Sequence, residues 1–462
     1  MKGRVRMQAQ VQKGQEILLT IKRLGINGEG IGYYKRQAVF VDGAIPDEQV
    51  IVKINELNKG YARGELIGIK EKTETRTKPF CRHFGTCGGC QLQHIVLNEQ
   101  YRLKQAMLVQ SIERYTKLDV SKINVLPFDA DHQDRFYRHK AQMPVRNTKQ
   151  GLMTGLYKKN SQEHVDVPSC PVQDKRINEV NQAVLKLAHE HGIRALDPKT
   201  FQGLLRYLVT RVSRATGEIQ VTLVVSIYNH ALKTLAQDIL ALEGVVSVAI
   251  SKNHSIKNVG IFGDSFEILA GQETIEEAMG VIRYKPTPKA FFQLNPEVAK
   301  QMYDYVVTLL DGQDQTLLDL YTGSGAIALY LAKYFKNVVG IDASKASIDA
   351  ATANAKLNKL DHVNFLESDA ALGMHQLDKQ GYTFTTAIFD PPRTGLDDKV
   401  IDRLLRQPIK KLIYVSCNPS TLAKDLNQLS KKYDVLSVKP FDMFPHTSHV
   451  ESVTLLRYKT AN

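Results

Sequence analysis

The sequence predicts a multidomain α/β protein in three parts: a small OB-like β-barrel, a mixed α+β central domain, and a C-terminal doubly wound parallel sheet. Three observations carry that expectation. Short β-rich runs (EILLTIKRL, AVFVDG, EQVIVKINEL, GELIGIKE) crowd residues 13–72, separated by Gly, Asp and Asn turns such as Ile26-Asn27-Gly28. Over residues 286–462 strand and helix patterns alternate, as a parallel sheet covered on both faces requires. Residues 73–285 lie between and read mainly as β, with one helix near Ile177–His191 and a long one over Leu97–Leu118, for which the C-terminal domain is one packing surface. At 462 residues the chain exceeds one ordinary domain, and a hydrophobic content of 43% supplies the cores.

Charge and targeting narrow the class. A formal net charge of +13 points to a polyanionic partner, of which nucleic acid is the commonest, although a solvated basic surface gives the same total. No stretch approaches the length of a membrane span, and the opening MKGRVRMQAQVQKG lacks the apolar core of a signal peptide. A cytoplasmic location is expected.

Along the barrel stretch, basic and aromatic residues interleave at Tyr33-Tyr34-Lys35-Arg36 and Lys59-Gly60-Tyr61-Ala62-Arg63, a surface able to stack on bases and neutralise phosphates. Through its GEGIGYY, VFVDGAIPDE and Tyr61-to-Lys70 segments this stretch resembles a TRAM domain, an RNA-binding appendage of RNA-modifying enzymes. Next come Cys81, Cys87 and Cys90 in a Cys-x5-Cys-x2-Cys array, with Cys170 downstream in Pro168-Ser169-Cys170-Pro171. Four thiolates suit either a structural zinc or a four-iron cluster, since both take soft ligands. The uneven spacing and the Cys-Pro ending favour a [4Fe-4S] cluster over the paired CxxC knuckles of a zinc ribbon. Radical S-adenosylmethionine enzymes use Cys-x3-Cys-x2-Cys and leave one iron open; here the first spacing differs and a fourth cysteine can close the site. A structural cluster is expected.

In the C-terminal part three strand ends carry chemistry. The strand Gln315–Leu320 runs into the turn Tyr321-Thr322-Gly323-Ser324-Gly325, and the next, Val338–Asp342, ends on an acid able to accept ribose hydroxyls. A G-x-G without a third glycine leans toward S-adenosylmethionine, which has no pyrophosphate to cradle; Asp369 is a candidate adenine contact, with a plain surface acid as the alternative. Asp390-Pro391-Pro392-Arg393 closes an apolar strand, and Arg at 393 disfavours methylation of exocyclic amines, where an aromatic residue holds the planar nitrogen. Carbon 5 of uracil is a weak nucleophile until a thiolate adds to carbon 6, so that chemistry needs a cysteine and an acid/base residue on fixed elements. Cys417, in Ser416-Cys417-Asn418-Pro419, is the cysteine outside the proposed cluster, and Glu451 at the start of the last strand is the candidate base, ahead of His446 and His449.

At these residues the chain resembles the RNA uridine carbon-5 methyltransferase family, in its TRAM-bearing, iron–sulfur branch acting on 23S ribosomal RNA. The resemblance spans essentially the whole chain, through the four cluster cysteines, Phe292-Gln293-Leu294-Asn295-Pro296, Asp319-to-Gly325, Asp390–Arg393, Ser416–Pro419 and His446–Glu451. It implies Cys417 as nucleophile and Glu451 as proton acceptor, with Gln293, Tyr321, Asp342 and Asp390 at the S-adenosylmethionine site and Asp390 also near the target base. It further implies a flipped-out uridine of large-subunit ribosomal RNA as substrate. The second-strand acid of the family is more usually Glu, so Asp342 must reach the ribose from one methylene further back. Two alternatives stand beside this reading: a uridine of the transfer RNA T-loop as the target, and a non-catalytic iron–sulfur RNA-binding protein.

Overall fold

The structure, a computed structural model, describes residues 11–129, 133–255, 260–312 and 315–459. Most of the opening segment read for a targeting signal, and the last residues of the 286–462 span, lie outside the described residues. Among the described residues no helix is long and apolar enough to cross a membrane.

Five strands, β1 (Glu16–Leu24), β2 (Gly30–Tyr34), β3 (Gln37–Val41), β4 (Gln49–Asn58) and β5 (Tyr61–Glu71), close into a barrel in the order β1-β2-β3-β5-β4. Alternation along each strand sends Ile17, Leu19, Ile21, Val50, Val52 and Ile54 inward. The filling is tight: a Cβ on Gly64 would lie 2.1 Å from Val52 Cγ1, so the side chain packs directly on backbone.

A loop carrying three of the cysteines leads to helix α1 (Leu97–Tyr115), which ends where Thr116 turns extended and its hydroxyl donates to the Ile112 carbonyl at 2.8 Å. Leu108 and Ile112 of α1 lie in the C-terminal core, and the short strand β6 (Asn124–Val125) pairs with that domain's sheet. The central sheet uses β7 (Lys140–Thr148), β8 (Gly151–Tyr157), β9 (His164–Asp166), β10 (Leu205–Val212), β11 (Ile219–Val225), β12 (Val245–Lys252) and β13 (Ser265–Gly271), with α2 (Lys175–Glu190) and α3 (Ala231–Leu240) packed on it. A small hairpin, β14 (Glu277–Met279) and β15 (Ile282–Tyr284), precedes α4 (Pro296–Thr308).

The C-terminal elements are β16 (Thr316–Leu320), α5 (Ala326–Leu331), β17 (Asn337–Asp342), α6 (Lys345–Leu357), β18 (Val363–Glu367), α7 (Ala370–Lys379), β19 (Thr386–Phe389), α8 (Asp398–Arg406), β20 (Lys411–Ser416), α9 (Pro419–Leu429), β21 (Tyr433–Phe441) and β22 (Glu451–Tyr458). The sheet order is β18-β17-β16-β19-β20-β22-β21-β6, with the first five strands parallel and β22 antiparallel to both of its neighbours. The strand order reverses between β16 and β19, which opens a crevice at their carboxyl ends.

Candidate active site

Strand register gathers the chemistry at that crevice. Leu320 of β16 faces Ile341 of β17 and Phe389 of β19, so Tyr321, Asp342 and Asp390 follow at one level along the carboxyl edge. On the other side, Ser416 of β20 pairs with Ser452 of β22. The next residues outward are Cys417 and Glu451, which therefore face each other across the antiparallel pair, where neighbouring Cβ atoms stand roughly 5 Å apart.

The turn after β16 is braced from both sides. Thr322 donates to the buried Asp319 carboxylate at 2.6 Å, and the Gly323 N–H donates to Asp342 Oδ2 at 3.0 Å. Asp342 Oδ1 accepts from the Ser344 N–H at 2.8 Å, which fixes the carboxylate while leaving lone pairs on both oxygens for a ligand. Tyr321 adopts a left-handed backbone (φ 64°), rare for a bulky residue and of a kind that clusters at ligand sites. Its ring packs on the sheet core and its hydroxyl lies against the backbone of Asp397, at the start of α8. Gln293 is half-buried beside the Tyr303 hydroxyl. Asp369, exposed, caps α7 by accepting from the Ala371 and Leu372 N–H groups at Oδ1.

Around Cys417 the turn is tied to the Asp390–Arg393 segment. Asn418 caps α9 through the Ser420 N–H at 3.1 Å and donates from Nδ2 to the Arg393 carbonyl at 2.9 Å. Pro419 begins the helix, at the position where a missing N–H costs nothing. Burial pushes the Cys417 thiol up to about 11, and the Glu451 and Asp390 carboxyls add to this against the opposing Arg393 guanidinium. Glu451 is pushed up to about 8 by burial and by Asp390, again opposed by Arg393, and burial takes Asp390 to about 7. A thiol, two carboxyls and one guanidinium thus share a crevice in which the acids hold protons near neutrality.

Both histidines already hold partners. His446 receives a hydrogen bond from Gln100 at Nδ1 (3.1 Å) and faces Asp134 through Nε2 (3.1 Å), while its ring meets Phe80 edge-on. His449 Nδ1 accepts from Arg393 at 2.7 Å, and burial together with that guanidinium lowers its pKa to about 4. Sequence reasoning missed Tyr303, whose hydroxyl is buried beside Gln293. Burial raises its pKa, and the Asp390, Asp319 and Glu451 carboxyls add to that rise. It sits one helical turn after Ala299 on the apolar face of α4, where it reads as core. Also missed was the fully buried pair Lys104 Nζ–Asp442 Oδ1 (2.5 Å), which ties α1 to the loop ahead of Glu451.

Cys81, Cys87, Cys90 and Cys170 line one cavity of about 130 Å³. Burial pushes the Cys90 thiol up to about 12, and the other three thiols add to it, a penalty that a bound cation reverses. Among the described residues no three His, Cys, Asp or Glu side chains converge as a metal-holding group.

Residues 97–459 match the family model for tRNA (uracil-5-)-methyltransferases, and residues 10–67 match the TRAM domain. The chain belongs to the tRNA (uracil-5-)-methyltransferase family. An uncharacterized RNA methyltransferase of Listeria innocua is 39% identical over 97% of this chain and 98% of its own. One of Bacillus anthracis is 36% identical over 98% of this chain and 99% of its own. The Pyrococcus abyssi tRNA (uracil-54, C5)-methyltransferase, solved with S-adenosyl-L-homocysteine, superposes with a TM-score of 0.75 at 27% identity, covering 95% of this chain and 99% of that one. As a member of this family, the protein is an RNA-binding, S-adenosylmethionine-dependent methyltransferase with a TRAM domain. The non-catalytic alternative is thereby set aside.

Proposed function

We propose that the protein methylates carbon 5 of a uridine in large-subunit (23S) ribosomal RNA, with Cys417 as nucleophile and Glu451 as proton acceptor. The observation that supports the reading is the β20–β22 register, whose last pair, Ser416 with Ser452, is followed outward by Cys417 and Glu451, with Asp390 near enough to act on both. When bound, S-adenosylmethionine supplies an electrophilic methyl group; Gln293, Tyr321, Asp342 and Asp390 line the crevice that would hold it. Cys417 and Glu451 each release a proton to solvent as the uridine arrives, and the thiolate adds to carbon 6, making carbon 5 an enolate carbon able to take the methyl group. Glu451 then removes the carbon 5 proton, and the carbon 6–sulfur bond breaks to return the thiolate. A carboxyl brought near the working pH suits that proton transfer. Arg393 offsets negative charge on the thiolate and the two acids.

We further propose that Cys81, Cys87, Cys90 and Cys170 hold a structural [4Fe-4S] cluster, supported by their spacing and their shared cavity. Anaerobically purified protein should carry about four irons per chain; zinc in their place overturns the assignment. Ribosomal RNA as substrate rests on the cysteine set together with the barrel. One observation favours a transfer RNA uridine instead: the likeness to the Pyrococcus tRNA enzyme covers 95% of this chain, so it takes in most of the barrel. Nucleoside mass spectrometry decides, on unmodified ribosomal and transfer RNA incubated with methyl-labelled S-adenosylmethionine. Labelled 5-methyluridine in ribosomal RNA supports the proposal, label in transfer RNA alone reverses the substrate, and label in methylcytidine refutes the target base.

A further inference from the structure

Two grooves lie on either side of one turn of the barrel. The first, of about 440 Å³, is lined by Asn27, Tyr157, Lys158, Lys159, Ser448 and His449, the partner of Arg393. The second, of about 460 Å³, is lined by Arg23, Ile26, Phe40, Arg114, Tyr115 and Ser420, which lies in the first turn of the helix that follows Cys417. Between them stands the β1–β2 turn, residues 25–29, with Ile26 on one side and Asn27 on the other. Its backbone lies hard against the catalytic loop: a Cβ on Gly28 would meet Gln91 Cβ at 2.8 Å and Ser448 Cβ at 3.4 Å.

Both walls have the chemistry of a single-stranded nucleic-acid track, in which cations follow the backbone and aromatic faces receive bases. In the first groove Lys158 and Lys159 are held by exposed Glu163 and Asp42, partners that exchange readily for phosphate because exposed pairs are worth little. The Lys159–Asp42 bridge also joins the barrel to the central sheet, so the groove is a seam between parts of the chain. In the second, Arg114 and Lys424 lie over the Tyr115 ring and Arg63 over Phe40, while Glu113 opposes the charge on that wall.

We propose that the RNA substrate binds as a single strand across the β1–β2 turn. Nucleotides on one side of the target uridine lie in the Lys158–Lys159 groove, and those on the other side lie in the Arg23–Arg114 groove. The turn then occupies the space between the two flanks, and the uridine drops past it toward Cys417 and Glu451. The placement rests on the reading of those two residues as the catalytic pair.

The test uses the full-length protein as K158A/K159A, R23A/R114A and, as a control outside both grooves, K122A/K186A, each checked for unchanged S-adenosylmethionine affinity. Binding of fluorescein-labelled oligouridine should weaken roughly tenfold near 0.15 M salt for each groove pair, with the salt slope smaller by about 0.7 for every phosphate the variant no longer neutralises. The control should bind as the parent does. Methylation is then followed on an RNA fragment cut back to its target uridine on one side or the other. One groove pair should become silent on the first fragment and the other pair on the second. A groove pair indistinguishable from the control, or both pairs equally damaging on each half fragment, overturns the inference. If no RNA yields 5-methyluridine while the groove variants still lose oligouridine binding, the proposed reaction falls and the RNA track stands.

Discussion

Replacing Glu451 by Gln separates the steps of the proposed reaction, because the amide keeps the size of the side chain and loses the proton acceptor. Addition of Cys417 and the arrival of the methyl group do not need that carboxylate; loss of the carbon 5 proton does. The variant should therefore stall with Cys417 joined to carbon 6 of an already methylated uridine. A positioned general base contributes about 10²–10⁴ in rate, so steady-state turnover should fall by that factor. A second effect has the opposite sign. After burial, Glu451 is the largest influence holding the Cys417 thiol up at about 11, so its loss eases ionisation of the thiol and leaves adduct formation unimpaired. The assay is a denaturing gel of radiolabelled RNA with methyl-labelled S-adenosylmethionine. A shifted protein–RNA band carrying the methyl label is expected, absent in C417A/E451Q. Turnover at the parent rate, or a band without the methyl label, refutes the assignment of Glu451.

Three further outcomes are expected. Asp319 and Asp390, each raised to about 7, and Glu451, raised to about 8, hold protons in the folded state that the unfolded chain releases near pH 4, so their contribution to stability is complete at low pH and is lost as pH rises through the folded values. The Tm of ligand-free protein should accordingly fall between about pH 5 and 8, and less steeply in D390N/E451Q, as calorimetry can follow. Lys104→Ala removes the cation that faces the fully buried Asp442 and should cost about 3–5 kcal/mol in urea unfolding, while K104M/D442L should cost much less. Gly340→Ala places a Cβ 2.6 Å from the Phe365 ring and 2.8 Å from Thr322 Oγ1; it should cost about 1–3 kcal/mol and weaken S-adenosylmethionine binding in titration calorimetry, since Thr322 braces the turn.

What could be read from the sequence was what local punctuation marks. Gly323 and Gly325, with φ of 55° and 81°, shape the turn after β16, and the Asn418-Pro419 cap starts α9 directly after the cysteine. Barrel strands announced themselves by alternation, and the wound sheet by its changing period. What escaped were partnerships across long separations. Lys104 and Asp442 stand 338 positions apart, and Gln100 and His446 stand 346 apart. Nothing local tells a buried lysine from the solvated ones that make up the net charge, and nothing local tells Tyr303 from the apolar stripe of α4 that carries it.

The same separations explain why the site is built on the sheet rather than on the loops alone. Cys417 and Glu451 face each other only because Ser416 pairs with Ser452, and a slip of one residue in that pair would turn every side chain of β22 to the opposite face. That register is held at several independent points: Val453 and Leu456 of β22 are buried, Phe441 of β21 pairs with Glu451, and Asn295 at the cap of α4 donates to the Met443 carbonyl at 3.3 Å. Lys104 and Gln100 of α1 grip the intervening loop at Asp442, Phe444 and His446. A helix that the sequence assigned to the central domain, with the C-terminal domain as one packing surface, thus holds the loop leading to the proposed proton acceptor. Changes to α1 should therefore act on catalysis through the placement of Glu451, without touching the crevice formed by the parallel strands.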